Sequence, residues 1–464
     1  MKTEILVAGV LTLAGVLLSS PAYAAPPYGD DASIVKLLQN LGDNSAVNLP
    51  FDRNNVKHTG RSSSDYCMRM AYAPERQTAL YAGGNHNDGR RNDCWEYHLG
   101  SNAWHCLFPA EGGDHYLLKE IVMFRMREFE HRNRDRLSTT TFEDFKAFMN
   151  QKDRKTLEDT IIPWWRKNVI FSKGMLTTPG GGPIMPSHTW DGMNYDPTTQ
   201  RLFWSDGAGP NGECFNFHRY INGMSADELA KARDERYTSM WEFDPLSRQW
   251  ACYRRPKEGP CPDFRGMGQS LEYISDQRKF IWYIAASNVS PHSYQMWSFD
   301  PAAGLWTELH PNGGKSISEL VHKLKLAPDG EQVIRYSRRQ KKLYGFQASN
   351  VYSYDLAKNE WARVCTDDRI DAHDAHTMIA CDEINDVFIY TRKSASGSLV
   401  RFAIFDPAKN VWDAPAIKGD PLPNPQYETL KGFFHPQHNV YVVVPGGESP
   451  TWVYRHRRQN REIE

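Results

Sequence analysis

Groups able to move a proton recur at corresponding points of this sequence: His86, His188, His376 and Tyr427. His86 follows Gly83-Gly84, two residues whose lack of a side chain lets the backbone come close to a ligand. His188 and Tyr427 align with Asp65 and His373. Three residues further on, His376 aligns with Asp191, Gln269 and Gln332, and Arg69 and Lys431 share the next register. His292 lies in a loop that corresponds to that of His86. Imidazole and phenol work as acids and bases once their surroundings tune them. Arg69, Arg265 and Lys431 are cations that could hold an anion. Asp371-Ala372-His373-Asp374-Ala375-His376 carries ligand types suited to zinc or manganese, so a divalent metal on Asp371, His373 and His376 is compatible with the sequence. The bland alternative for each group is a polar residue that only binds water.

What positions these groups is a repeat, and a fixed repeat decides the fold. Trp241-Glu242-Phe243-Asp244-Pro245 runs on to Trp250. The same pattern leads from Trp297 to Trp306, Tyr352 to Trp361, Ala403 to Trp412 and Trp95 to Trp104, each time nine positions. Alternating aromatics predict a strand. Asp-Pro predicts the turn, since Pro presets its backbone angle and Asp bonds the turn amides. A second unit precedes each hairpin, starting at Tyr72, Tyr195, Tyr273, Tyr336, Ala380 and Phe434. Two hairpins make a four-stranded blade, and six blades make an all-β propeller. The sixth unit lacks its closing Trp strand, which residues 46–51 could supply. Seven blades remain an alternative if residues 25–60 hide a divergent repeat.

Two insertions interrupt the spacing, residues 108–183 between the first two blades and 207–238 within the second. Helices are expected over 117–130, 142–149 and from Ser225 to about 236, with a short one over 33–41. Both insertions fall at connections on one face of such a ring, the place where loops usually carry function. The polar groups named above fall at the same connections.

The chain has 464 residues with Lys+Arg 55 against Asp+Glu 56, which lacks the basic excess of a nucleic-acid binder. Lys2, an apolar run from Ile5 to Leu18 and the Ala22-Tyr23-Ala24 site read as a signal peptide cleaved after Ala24. That gives a periplasmic or secreted product without a further membrane span. Eight cysteines in an oxidising compartment predict disulfides, with Cys94–Cys106, Cys252–Cys261, Cys365–Cys381 and Cys67–Cys214 one pairing among many.

Tyr81-Ala82-Gly83-Gly84, then Trp95-Glu96-Tyr97, then Trp104 resembles a kelch repeat, and the resemblance extends over residues 65–455. It implies a kelch-type propeller with a polar axial channel, and His188 matches a position where kelch repeats often carry a structural residue. The chain also resembles, broadly, the bacterial propellers that include polysaccharide lyases. That resemblance implies cleavage of a uronate-containing glycan by β-elimination, with polysaccharide or oligosaccharide as partner. His86, His188 or His376 would then serve as base or acid, Tyr427 as acid, and Arg69 would neutralise the carboxylate. Arg265, Lys431, Asp191 and Gln269 would hold the substrate. Two alternatives stand beside it: a non-catalytic scaffold binding a glycan or envelope protein, and a sugar mutarotase or oxidase of kelch type.

Overall fold

A computed structural model describes residues 27–60, 67–83, 91–111, 119–172, 174–184, 186, 189–205, 211–232, 237–254, 259–260, 262, 269–284, 295–314, 333–372, 377–393, 399–425, 430–445 and 449–458. These residues form mostly antiparallel β-sheet. Five sheets have four consecutive strands each: Ala71–Phe108, Met193–Arg254, Gln269–Glu308, Val333–Thr366 and Thr377–Asp413 give the outer limits of sheets 1 to 5. Sheet 6 is built from both ends of the chain. Its order is Lys418–Gly419, Ser45–Asn48, Trp452–Arg455, Val440–Val443 and Gly432–His435. The N-terminal strand pairs antiparallel with the last one (Val47 opposite Val453), as the missing Trp strand suggested. The parallel edge strand Lys418–Gly419 has no counterpart in the repeat. The first strands of the six sheets adjoin in chain order, and that of sheet 6 lies against that of sheet 1.

The aromatic repeat is the framework of each sheet. Tyr97–Trp104, Phe243–Trp250, Phe299–Trp306, Tyr354–Trp361 and Phe405–Trp412 are all cross-strand partners, and all ten rings are buried. The turn acids behave as their chemistry predicts. Asp244 Oδ1 accepts from Leu246 N (2.8 Å), Asp355 Oδ1 from Ala357 N (3.0 Å) and Asp406 Oδ1 from Ala408 N (3.0 Å).

The first hairpins share a stricter signature. Each turns through one left-handed residue with φ between 51° and 57°: Gln77, Gln200, Arg278, Lys341, Asp386 and Asn439. Counting back from it, and checking against the strand pairing, Tyr72, Tyr195, Tyr273, Tyr336, Cys381 and Phe434 are equivalent. This corrects the fifth unit by one residue. Cys381, not Ala380, stands where the tyrosines stand, so Thr377 rather than His376 corresponds to Asp191 and Gln269.

Both insertions are mainly helical, and their side chains merge. Phe129, Phe145 and Trp165 of the first pack with Phe217, Tyr220 and Leu229 of the second in one apolar cluster. Helix starts fall where capping residues predict them. Thr141 and Asp144 form a reciprocal capping box ahead of Phe142–Phe148, and Ser225 and Glu228 do the same ahead of Ala226–Ala232. Sequence reading left Gln151–Thr156, Ile162–Asn168 and Asn211–Ile221 without a helix assignment. Among the described residues, no helix is long and apolar enough to cross a membrane.

No disulfide joins Cys94 to Cys106, Cys67 to Cys214 or Cys365 to Cys381. Cys106 is the register partner of Trp95, whereas Cys94 is opposite Phe108, so the first pair faces opposite sides of sheet 1. Cys67 and Cys214 belong to two separate apolar clusters. Cys261 and the signal segment lie outside the described residues.

The junction of sheets 1 and 6 gives a pH prediction. His435 is 1% exposed, 5.0 Å from the Tyr72 ring and 4.7 Å from the His438 ring. Burial holds its pKa well below the usual value of 6.5, with His438 and His98 adding in the same direction. Asp30 opposes this at His98. The unfolded chain therefore binds more protons as pH falls past 6.5. Stability should drop through that window by about 1.4 kcal/mol per pH unit for each histidine held neutral, levelling off below its folded pKa. Urea unfolding at a series of pH values should show this slope, and His435→Gln should reduce it by about one histidine's worth. An unchanged slope in that variant would mean His435 is not the source.

Candidate functional site

Charged residues at or beside the first strands of sheets 1 to 4 meet in an ion network. Arg335 grips Asp191 with both prongs of its guanidinium, Nη1 at 2.5 Å from Oδ2 and Nη2 at 2.7 Å from Oδ1. Its Nε donates to the Ile379 carbonyl at 2.6 Å. Arg69 places Nη2 2.7 Å from Glu272 Oε2 and Nη1 3.7 Å from Asp191, and donates to the Leu271 carbonyl at 2.8 Å. Ser270 Oγ also donates to Asp191. Two cations and two anions thus meet from four sheets, with side chains of Asp191 and Arg335 only 3% and 4% exposed. Buried charges are tolerated when paired and hydrogen-bonded in this way.

This arrangement revises several residue roles. Arg69, expected to neutralise a substrate carboxylate, is already balanced by Glu272 and Asp191. Asp191 is the hub of the network and reaches no open space of its own. Gln269 is committed at both ends of its amide: Oε1 accepts from Ser205 Oγ (2.6 Å) and Trp282 Nε1 (3.0 Å), and Nε2 donates to the Ser205 carbonyl (3.1 Å). It ties sheet 2 to sheet 3. Lys431 is fully buried, its ammonium 5.0 Å above the Tyr81 ring and 5.3 Å from that of Trp104. Asp371 is ion-paired with Arg392, whose Nη1 also donates to its carbonyl at 2.9 Å. Among the described residues, no group of three or more His, Cys, Asp or Glu is placed to hold a metal ion. His86, His188, His373, His376, Tyr427 and Arg265 lie outside the described residues, as do Asp65, His292 and Gln332.

Beside the network opens a cavity of about 420 Å³. It lies at the turn ends of the first strands, and the repeat sets its walls in tiers. The tyrosine tier comprises Tyr72, Tyr195, Tyr273, Tyr336, Cys381 and Phe434, all lining it. Two positions on, Pro74, Pro197, Ser275, Arg338, Glu383 and Pro436 form the rim. The four tyrosines also stitch neighbouring sheets. Tyr195 donates to Glu75, Tyr336 to Asp276 at 3.2 Å and Tyr72 to Gln437, and the Tyr273 and Thr198 hydroxyls meet at 3.1 Å. Burial pushes the Tyr273 and Tyr336 phenols up to about 12, so both stay protonated near neutrality.

Arg335, Glu272 and Glu383 were absent from the sequence-derived site. A signal existed for the first two: a single charge between apolar residues of a predicted inner strand, in Leu271-Glu272-Tyr273 and Ile334-Arg335-Tyr336. Glu383 is a turn residue in sequence, and only the corrected register makes it the equivalent of Pro74 and Arg338.

No family model matches this chain and no curated protein matches it. Solved structures similar to it include a protein of unknown function from Bacteroides thetaiotaomicron VPI-5482, at 9% identity over 89% of this chain and 73% of that one, with TM-score 0.40. Another is an auxiliary nutrient binding protein from Bacteroides ovatus ATCC 8483, at 10% identity over 60% of each chain, with TM-score 0.35. A third is the extracellular domain of a one component system from B. thetaiotaomicron, at 8% identity over 60% of this chain and 31% of that one, with TM-score 0.31. At this level of likeness, function has to be read from the chain's own residues.

Proposed function

We propose that this chain is a secreted or periplasmic six-bladed β-propeller of kelch type, closed by its N-terminal strand, and that it binds carbohydrate in its axial cavity. The cavity carries the reading. Its volume of about 420 Å³ suits a sugar unit or two, and its tyrosine and proline tiers offer flat apolar surface beside fixed polar groups. The cyclic adjacency of the first strands and the Tyr72–Gln437 contact support the closed ring. Among the described residues, Arg69 is neutralised and Lys431 is buried against two rings, which supports binding over β-elimination, since a lyase needs a cation for the substrate carboxylate.

Titration calorimetry of the mature protein with mono- and disaccharides tests this. Binding is expected, with Tyr273→Ala weakening it about tenfold or more, the scale of losing one well-packed aromatic contact. No heat with any sugar would overturn the reading. Ultraviolet absorbance on uronate polysaccharides, with and without chelator, serves as the counter-test. A rise would establish a lyase and move the chemistry to His86, His188, His376 and Tyr427.

A further inference from the structure

The three arginines that line the cavity, Arg69, Arg335 and Arg338, equal in number the lining acids Glu272, Glu383 and Asp386, but two of the arginines are paired with acids outside the lining. Each arginine is already matched: Arg69 by Glu272, Arg335 by Asp191, and Arg338 by Asp276, whose Oδ1 is 3.2 Å from Nε. Glu383 and Asp386 are left over. Asp386 accepts from Ser337 Oγ at 2.5 Å and Gln340 Nε2 at 3.1 Å, neutral donors that leave its charge in place. Glu383 has no hydrogen-bond or ion-pair partner among the described residues. Its rim position is occupied by proline in three of the other sheets. Glu383 is exposed as a residue, yet burial of its carboxyl by the surrounding walls and the fields of Glu272 and Asp382 raise its pKa, with Arg338 opposing.

We propose that the axial cavity selects a sugar unit bearing an ammonium group, an amino sugar, with Glu383 as its counter-ion. The inference rests on the carbohydrate reading of the cavity. An ammonium supplies the donors that Glu383 lacks and brings one positive charge to a site where, with Asp191 and Asp276 counted, acids exceed arginines by two. The adjoining tyrosines suit a cation as well, since their ring faces attract it. A uronate carboxylate would meet the same acids with the wrong sign, while Arg69 and Arg335 are held in buried pairs and Arg338 stands on the exposed rim beside Asp276.

The test is titration calorimetry of the full mature chain near neutral pH with the methyl glycosides of glucosamine, glucose and glucuronic acid. Glucosamine should bind about 10- to 100-fold more tightly than glucose, the worth of a charge-assisted hydrogen bond, and glucuronate most weakly. Glu383→Gln should abolish the difference between glucosamine and glucose. Circular dichroism checks that the variant, altered at a turn residue, stays folded. Glucuronate binding as well as glucosamine would overturn the charge inference while leaving a carbohydrate site. A full preference for glucosamine in Glu383→Gln would overturn the role of Glu383. No binding of any of the three would remove the carbohydrate reading and the inference with it.

Discussion

Asp191→Ala should destabilise the fold by about 3–5 kcal/mol, the cost of stranding a buried charge without its partner. Among the described residues, no second carboxylate is within hydrogen-bond distance of Arg335. Its two forward nitrogens both point at Asp191, with Nη1 also donating to the Ile334 carbonyl at 2.7 Å; its Nε is engaged by the Ile379 carbonyl, and its side chain is 4% exposed, so neutral carbonyls alone would face its charge. Arg69 fares better, because Glu272 at 2.7 Å remains. Pairing Asp191→Leu with Arg335→Met should therefore recover most of the loss, as apolar replacement of a buried pair is often close to neutral. Urea denaturation of the three proteins measures both values. A loss below about 1 kcal/mol in Asp191→Ala would show that the site is well solvated and that the acid is held for a ligand instead of for the fold.

The contrast between what the sequence announced and what it concealed follows from the range of the interactions. Trp250 and Phe243 are seven positions apart and opposite each other on adjacent strands, so one hairpin's periodicity contains their contact. The turn acids Asp244, Asp355 and Asp406 bond amides two residues away, and the capping pairs of Thr141 and Ser225 span three. Such features are legible locally. The closing strand was legible by a different route, as a deficit: the sixth unit lacked a strand, and Ser45–Asn48 fills it. Asp191 and Arg335 are 144 positions apart, and no local pattern relates them. Alignment of repeats did give Asp191 and Gln269 equivalent positions beside the first strands, but equivalence of position said nothing about occupancy. Gln269 is spent on Ser205 and Trp282, and Lys431 turns away onto two rings. The fifth unit shows how little separates a right alignment from a wrong one. A shift of one residue moved Cys381 out of the tyrosine tier, and only the left-handed Asp386 fixes the register.

Trp306→Ala should cost about 3–5 kcal/mol, the range for emptying a buried aromatic site. Trp306 is 3% exposed, stacks on Phe299 with centroids 4.3 Å apart and an interplanar angle of 21°, and lies 5.6 Å from Trp282. Truncation would leave a void against both rings, and the pairing of this edge strand with Gln295–Asp300 limits collapse into it. Trp306→Phe should cost distinctly less, because it keeps the stack on Phe299 and loses only the outer ring. The effect should also reach beyond sheet 3. Phe299 and Phe280 pack with Phe203 of sheet 2 in the same cluster, at 5.6 Å and 5.1 Å. Hydrogen exchange should therefore show lost protection in both sheets. A loss confined to residues 295–308 would mean that the sheets are stabilised one by one. A loss spreading into 193–205 would mean that the closing tryptophans couple each sheet to its neighbour, and so bear on the walls of the cavity.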